Sequence, residues 1–290
     1  MMVFIQNKYI YIYIMVLVST KKKFIFIKPY FVNARHIETQ LQKYCSSSND
    51  IIGSMNSYLS NRGDKNVEIL RMSRSIFPWY CHVHLPLNVL FPKINNFYKK
   101  NITDNYLKIS VIKNPYELLI DFFWFYTDHN SKFYTKNGDI KKKEIINIKK
   151  NTNIGFYANK EFNKNKWGNI MDMFNNWITS GMLLGEQMSK WEYLNELFYY
   201  DNKKSKENKI DFFININDNP QQSLNNLCNN LNIGPITFKK SSKKNPIIWN
   251  NKKFSDYFSK ESVAFIEKNF YFTLKQGNYT YDPNCVYSQL

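Results

Sequence analysis

Short apolar runs that stop at turn residues alternate along this chain with segments whose apolar residues recur every three or four positions. Residues 9–18 (YIYIYIMVLV) alternate aromatic and aliphatic side chains and predict a strand. Residues 24–27 (FIFI) predict a short buried strand; Ile37, Leu41 and Tyr44 then share one helical face. Within residues 77–91 (FPWYCHVHLPLNVLF) His82 and His84 alternate with Cys81 and Val83, so that on a strand both imidazoles share one face, and a polar link follows over 94–104. The clearest unit spans 107–126. An apolar run broken only by Lys108 and Ser110 ends at Lys113-Asn114-Pro115, and a helix begins there. Asn114 suits the N-cap, Pro115 the first helical position, and Glu117 the third, where its side chain reaches back to the cap. Leu118, Leu119, Phe122, Phe123 and Tyr126 follow at helical spacing and predict one core face. A second such unit runs from a strand at 210–216 through Asp218-Asn219-Pro220 to Leu224, Leu227, Cys228 and Leu231, again with Asn as N-cap, Pro first and Gln222 third. Met171, Phe174, Trp177 and Ile178 predict a helix within 167–197, and Val263, Ile266 and Phe270 are apolar positions within 257–279. Strands alternating with helices predict an α/β core.

The polar stretches divide the chain. Residues 46–64 and 203–209 read as surface loops, and 128–166, with Lys141-Lys142-Lys143 and Lys149-Lys150, as a solvated insertion. The expected organisation is an apolar extension over 1–23, one α/β domain over 24–282 and a tail over 283–290, since 290 residues suffice for a single substantial core. Residues 2–18 read as an extra strand, with a signal anchor as the alternative; Gln6, Asn7 and Lys8 leave the cleaner part shorter than the ~20 residues of a membrane span. The Lys21-Lys22-Lys23 run would orient such an anchor with its C-terminal flank cytoplasmic. A start at Met15 is a further alternative. The N-terminus therefore leaves two locations open, a membrane-associated protein if it anchors and a cytosolic one if it is only a strand.

The net charge of +17 suits an anionic partner, a sulfated glycan, a nucleic acid or an acidic membrane. Lys, Asn, Ile, Tyr and Phe are abundant together, as in AT-rich coding, so much of that charge needs no partner, and the basic runs do not predict specific nucleic-acid recognition. Cys45, Cys81, Cys228 and Cys285 show no metal spacing and read as free thiols, with one disulfide as the alternative. His82 and His84 lack a third ligand, so no metal is expected.

Candidate chemistry gathers where strands run into helices. Free backbone N–H groups and the positive dipole end of a helix at a strand's edge are where α/β proteins hold phosphate, and Lys113 stands at such a point. Residues 113–123 (KNPYELLIDFF) resemble the R-[ND]-P-x-E-R-L-x-S-x-[FY] segment of the P-loop sulfotransferases, which binds the 3′-phosphate of the sulfate donor PAPS. Residues 26–38 are similar without gaps to the family's first motif, F-I-H-I-P-K-T-x-G-T-S-I-E. Residues 210–233 (IDFFININDNPQQSLNNLCNNLNI) resemble its I-D-F-I-x-R-F-E-N-L unit, 187–193 its Q-x-x-[FY] segment, 238–246 its basic closing loop, and 257–279 its last helix. The nearest branch is the carbohydrate sulfotransferases.

That resemblance implies a three-layer P-loop NTPase-like sulfotransferase fold with a mostly parallel central sheet, PAPS as donor, an anionic or neutral carbohydrate acceptor, and a secretory-lumen or membrane-associated location. It further implies His84 or His82 as the base on the acceptor hydroxyl, where a neutral imidazole is the fitting species, and Lys28, Arg35, His36, Lys113 and Asp121 at the donor site. The alternative for the histidines is a pair on a half-buried strand. The chain departs from the pattern where the chemistry sits. Phe31 replaces the phosphate-binding lysine, Ala34 a glycine, and Arg35-His36 threonine and serine, with Arg35 or Lys28 as compensating cations. Lys113 and Leu118 replace arginines, Asp121 the serine that donates to the 3′-phosphate, and Asn215 and Asn217 an Arg and a Glu. An ionised Asp121 has no proton to donate. At ~4 Å two like unit charges repel by about 1 to 4 kcal/mol, more than the ~1 kcal/mol of one neutral hydrogen bond. Donor binding therefore requires Asp121 to turn away, for instance to solvent from the polar face of its helix. Two functions remain open: a carbohydrate sulfotransferase, or an inactive relative binding an anionic glycan or a protein.

Overall fold

Five strands meet in one mixed sheet in the computed structural model, which describes residues 15–29, 32, 34–52, 87–126, 170–180, 199, 208–239 and 252–287. The strands are β1 (Met15–Ser19), β2 (Phe24–Lys28), β3 (Ile51–Ile52), β4 (Leu107–Ile112) and β5 (Phe212–Asn215), in the order β3-β1-β2-β4-β5. β2 pairs parallel with β4, Ile27 opposite Ser110, and β4 parallel with β5, Ile112 opposite Asn215. The sheet is not mostly parallel as expected, because β1 joins antiparallel on both sides. The cause is local. Only Thr20 to Lys23 separate β1 from β2, with Lys23 at φ 54°, and so short a turn permits only a hairpin.

The interruptions of the β4 run are satisfied in place. Ser110, fully buried, donates its hydroxyl to the Ile27 carbonyl at 2.8 Å, and Lys108 at the strand's start pairs with Asp211 at 2.8 Å. Helix α1 (Arg35–Leu41) follows β2 and tightens into a 3-10 turn over Gln42–Tyr44. Residues 94–98, expected to begin a polar link, instead complete helix α2 (Leu87–Tyr98). The signal was present: Leu87, Leu90, Phe91 and Ile94 fall at i, i+3, i+4 and i+7 and all are buried. Pro92 inside it masked that spacing, since it removes only the bond its N–H would have made to Asn88.

Helix α3 (Pro115–Tyr126) follows β4. It is buried on more than the one expected face: Tyr116, Leu118, Leu119, Ile120, Phe122 and Phe123 are all inside. Helix α4 (Ile170–Ser180) covers it, Trp177 stacking on Phe122 at 5.7 Å and Phe174 meeting Phe123 edge-on at 5.0 Å. Helix α5 (Pro220–Leu231) follows β5, buries Leu224, Leu227, Cys228 and Leu231, and is capped by Asn219 as predicted, the side chain accepting from Gln222 N at 3.4 Å. Gln222 bonds Asn226 rather than closing a capping box.

The single closing helix expected over 257–279 is three: α6 (Phe254–Tyr257), α7 (Lys260–Asn269) and α8 (Tyr271–Gly277). Asn175 makes the first break, accepting from Ser259 N at 2.7 Å while donating to the Tyr257 carbonyl at 2.9 Å; Ser259 then caps α7.

Candidate functional site

Because β2, β4 and β5 are mutually parallel, their carboxyl ends share one edge of the sheet. Lys28, Lys113 and Asn215 lie there, and α1, α3 and α5 begin just beyond. This is the edge at which open α/β sheets bind ligands. The two stretches that carry the strongest resemblance, 24–38 and 107–126, are thus neighbours in space, although 68 residues separate them in the chain.

Lys113 points inward. Its side chain is 1% exposed and its Nζ donates to Asp121 Oδ2, eight residues later on α3. The other carboxylate oxygen, Oδ1, accepts from the hydroxyl of Tyr287, which is fully buried. Asp121 is only 8% exposed, so it does not leave toward solvent from a polar helix face. The physical reason is that α3 is buried around most of its circumference, Leu118, Ile120 and Phe122 as well as Leu119 and Phe123 lying inside, so Asp121 has no broad solvent face to turn to. Burying an ammonium and a carboxylate is tolerable when each neutralises the other and the spare lone pairs find donors, and Tyr287 supplies such a donor. Burial, the Asp121 charge and that hydrogen bond push the Tyr287 hydroxyl pKa up.

The first loop's charges are also internally paired. Lys28 Nζ meets Glu38 Oε2 at 2.9 Å, with Glu38 2% exposed. Burial holds the Glu38 carboxyl above its usual range, against the opposing pull of Lys28 and Arg35. Arg35 is exposed at the start of α1; His36 lies half-buried, edge-on to Phe238 at 4.9 Å. Ala34 is buried at the head of α1 with φ −97°, so it has no need of the positive-φ freedom of the glycine that stands at this position in the resembling motif.

Between the second and third parallel strands the polar groups close on themselves. Asn217 Oδ1 accepts from Asn114 N at 2.7 Å and Asn217 Nδ2 donates to Glu117 Oε2 at 2.6 Å. The expected reach of Glu117 back to the cap is therefore relayed through an amide from the neighbouring β–α unit, while Asn114 Oδ1 accepts from Tyr116 N at 3.1 Å. Asn215 Oδ1 accepts from Asn217 N at 3.0 Å, Asp218 N at 3.1 Å and the Tyr279 hydroxyl at 2.6 Å. Two glutamines hold the chain leading to the basic loop. Gln40 pairs with both backbone groups of Thr237, at 3.0 and 2.9 Å, and Gln221 spans Ile236 O and Phe238 N, each at 2.9 Å.

The structure thus joins Lys113 to Asp121 and sets Lys28, Arg35 and His36 along one strand and the helix after it. Tyr287, Glu38 and Tyr279 were not singled out from sequence. Glu38 was visible, ten residues beyond Lys28 in the matched motif. Tyr287 and Tyr279 are brought in by the path of the C-terminal chain, which no spacing encodes. His82, His84, Phe31, the 128–166 insertion and the 187–193 segment lie outside the described residues. Among the described residues no group of three His, Cys, Asp or Glu is placed to hold a metal ion, and no helix is long and apolar enough to cross a membrane. Cys45, Cys228 and Cys285 are free thiols. No protein-family model, no curated protein and no solved structure matches the chain.

Proposed function

We propose that this protein is a P-loop sulfotransferase-like chain, of three-layer type, that no longer transfers sulfuryl groups, and that its basic surface binds an anionic glycan or a protein partner. The observation that carries this reading is the buried Lys113–Asp121 pair. At the position where the resembling family presents a cation and a hydroxyl donor to the 3′-phosphate of PAPS, the lysine here is spent on a carboxylate. A phosphate entering would have to displace a buried counter-charge and face its repulsion. The Lys28–Glu38 pair and the amide network at Asn217 engage further groups that an anion would need. The family lineage draws support from the adjacency of the two matched units along one sheet edge and from their shared strand-to-helix order. The net charge of +17 favours an anionic partner.

Isothermal titration with PAP, the desulfated donor, tests this. The expected result is no heat of binding at millimolar PAP for the natural protein and a measurable affinity for Asp121→Ser, which restores a hydroxyl and releases Lys113. Micromolar binding by the natural protein that Lys113→Ala abolishes would overturn the reading. It would return the chain to the enzymes, with His84 or His82 as base on a carbohydrate hydroxyl.

A further inference from the structure

The C-terminal chain lies over the buried pair like an internal ligand. Tyr287 is fully buried, its hydroxyl on Asp121 Oδ1 and its ring edge-on to Tyr257 at 5.9 Å. The segment that delivers it, residues 282–287, belongs to no helix or extended strand. It is held along one short stretch of partners. Ser255 N donates to Pro283 O at 3.1 Å, Phe254 N to Cys285 O at 2.9 Å, and Tyr287 N to Lys252 O at 3.0 Å, beside a single β-bridge between Lys253 and Val286. Val286, one residue from the buried phenol, is 47% exposed. A segment with so few backbone bonds and one deep side chain can lift while the sheet stays folded.

The chemistry beneath it selects an occupant. A carboxylate paired with a lysine offers a further anion no net positive charge but accepts an O–H, and the ring of Tyr257 lies beside the phenol. The group that fits is a neutral aromatic hydroxyl, which is what Tyr287 presents. We infer that residues 282–287 form a displaceable strap, and that the Lys113–Asp121 pair beneath it takes the hydroxyl of a neutral phenolic ligand, for which Tyr287 stands in. The inference uses only the geometry of the pair and the strap. PAP binding would overturn the proposed loss of transfer without touching it, and a phenol result leaves the PAP titration unaffected.

Full-length Tyr287→Ala, probed with 4-methylphenol and with toluene, provides the test. The variant's unfolding midpoint should fall. At ten times its dissociation constant 4-methylphenol should restore about 3 °C, and toluene at the same concentration less than half of that. In the natural protein the same phenol should speed amide exchange at Phe254, Ser255 and Tyr287, as the strap is displaced. Should Tyr287→Ala not fold unaided, its refolding yield should rise with 4-methylphenol and not with toluene. Equal effects of phenol and toluene, no rescue by either, or unchanged exchange in the natural protein would each overturn the inference.

Discussion

A lysine at the end of a parallel strand is ordinarily an anion's counter-charge; at Lys113 the fold supplies the counter-charge itself. Two buried residues of opposite sign would each be costly without the other. Together they form a closed unit, with Tyr287 as its third member. Asp121→Ala leaves an ammonium, 1% exposed, with its carboxylate partner removed, and should cost about 3–5 kcal/mol by urea denaturation with the denaturant slope unchanged. Replacing all three by apolar residues of similar size, Lys113→Met with Asp121→Leu and Tyr287→Phe, should recover most of that loss, because the buried ammonium and the phenol hydroxyl are then removed together with the carboxylate that they serve. A triple variant as unstable as the single one would mean that packing around α3, and not charge compensation, sets the cost.

At the scale of elements, the repeated Asn-Pro junctions show how local chemistry and neighbours share the work of starting a helix. Asn219 caps α5 by itself, but at φ 42°, in the left-handed region. Asn219→Gly loses the cap bond and keeps the backbone conformation, so a few tenths of a kcal/mol should go; Asn219→Ala loses the bond and strains the backbone, and should cost about 1–2 kcal/mol. Equal losses for the two in urea denaturation would show that the left-handed conformation is not maintained. Asn114, by contrast, begins α3 with help from Asn217 of the next unit. The cap residue was legible from sequence because its own side chain meets its own helix. The amide interposed between Asn114 and Glu117 was not, because it comes from 103 residues away. In the same way the break at 258–259 was hidden, since the residue that enforces it, Asn175, sits on another helix.

At the scale of the whole molecule, phenols tie the C-terminal chain and the outer helices to the core. Burial raises the hydroxyl pKa values of Tyr98, Tyr116, Tyr257, Tyr279 and Tyr287 above the ordinary value of 10. The folded state therefore retains protons that the unfolded chain releases above pH 10. Stability is fully present below that pH and falls as pH rises beyond it, by up to about 1.4 kcal/mol per pH unit for each such group. The expected outcome is a cooperative alkaline unfolding in which phenolate absorbance from the buried tyrosines appears together with the loss of helical circular dichroism. Phenolate appearing in full before the circular dichroism changes would show that these hydroxyls are not protected by the fold.

What the amino-acid sequence determined alone is what adjacent residues can settle: the buried runs of β2, β4 and β5, the helical faces of α1, α3 and α5, and the start of α5 at Asn219 and Pro220. Period and capping act over a few residues, so they can be read directly. Only the tertiary structure decided that the edge of the sheet carries paired charges and that Asp121 faces inward beneath Tyr287. Those outcomes depend on which distant groups share a low-dielectric interior, where a charge must find its partner and a hydroxyl its acceptor wherever the chain can bring one.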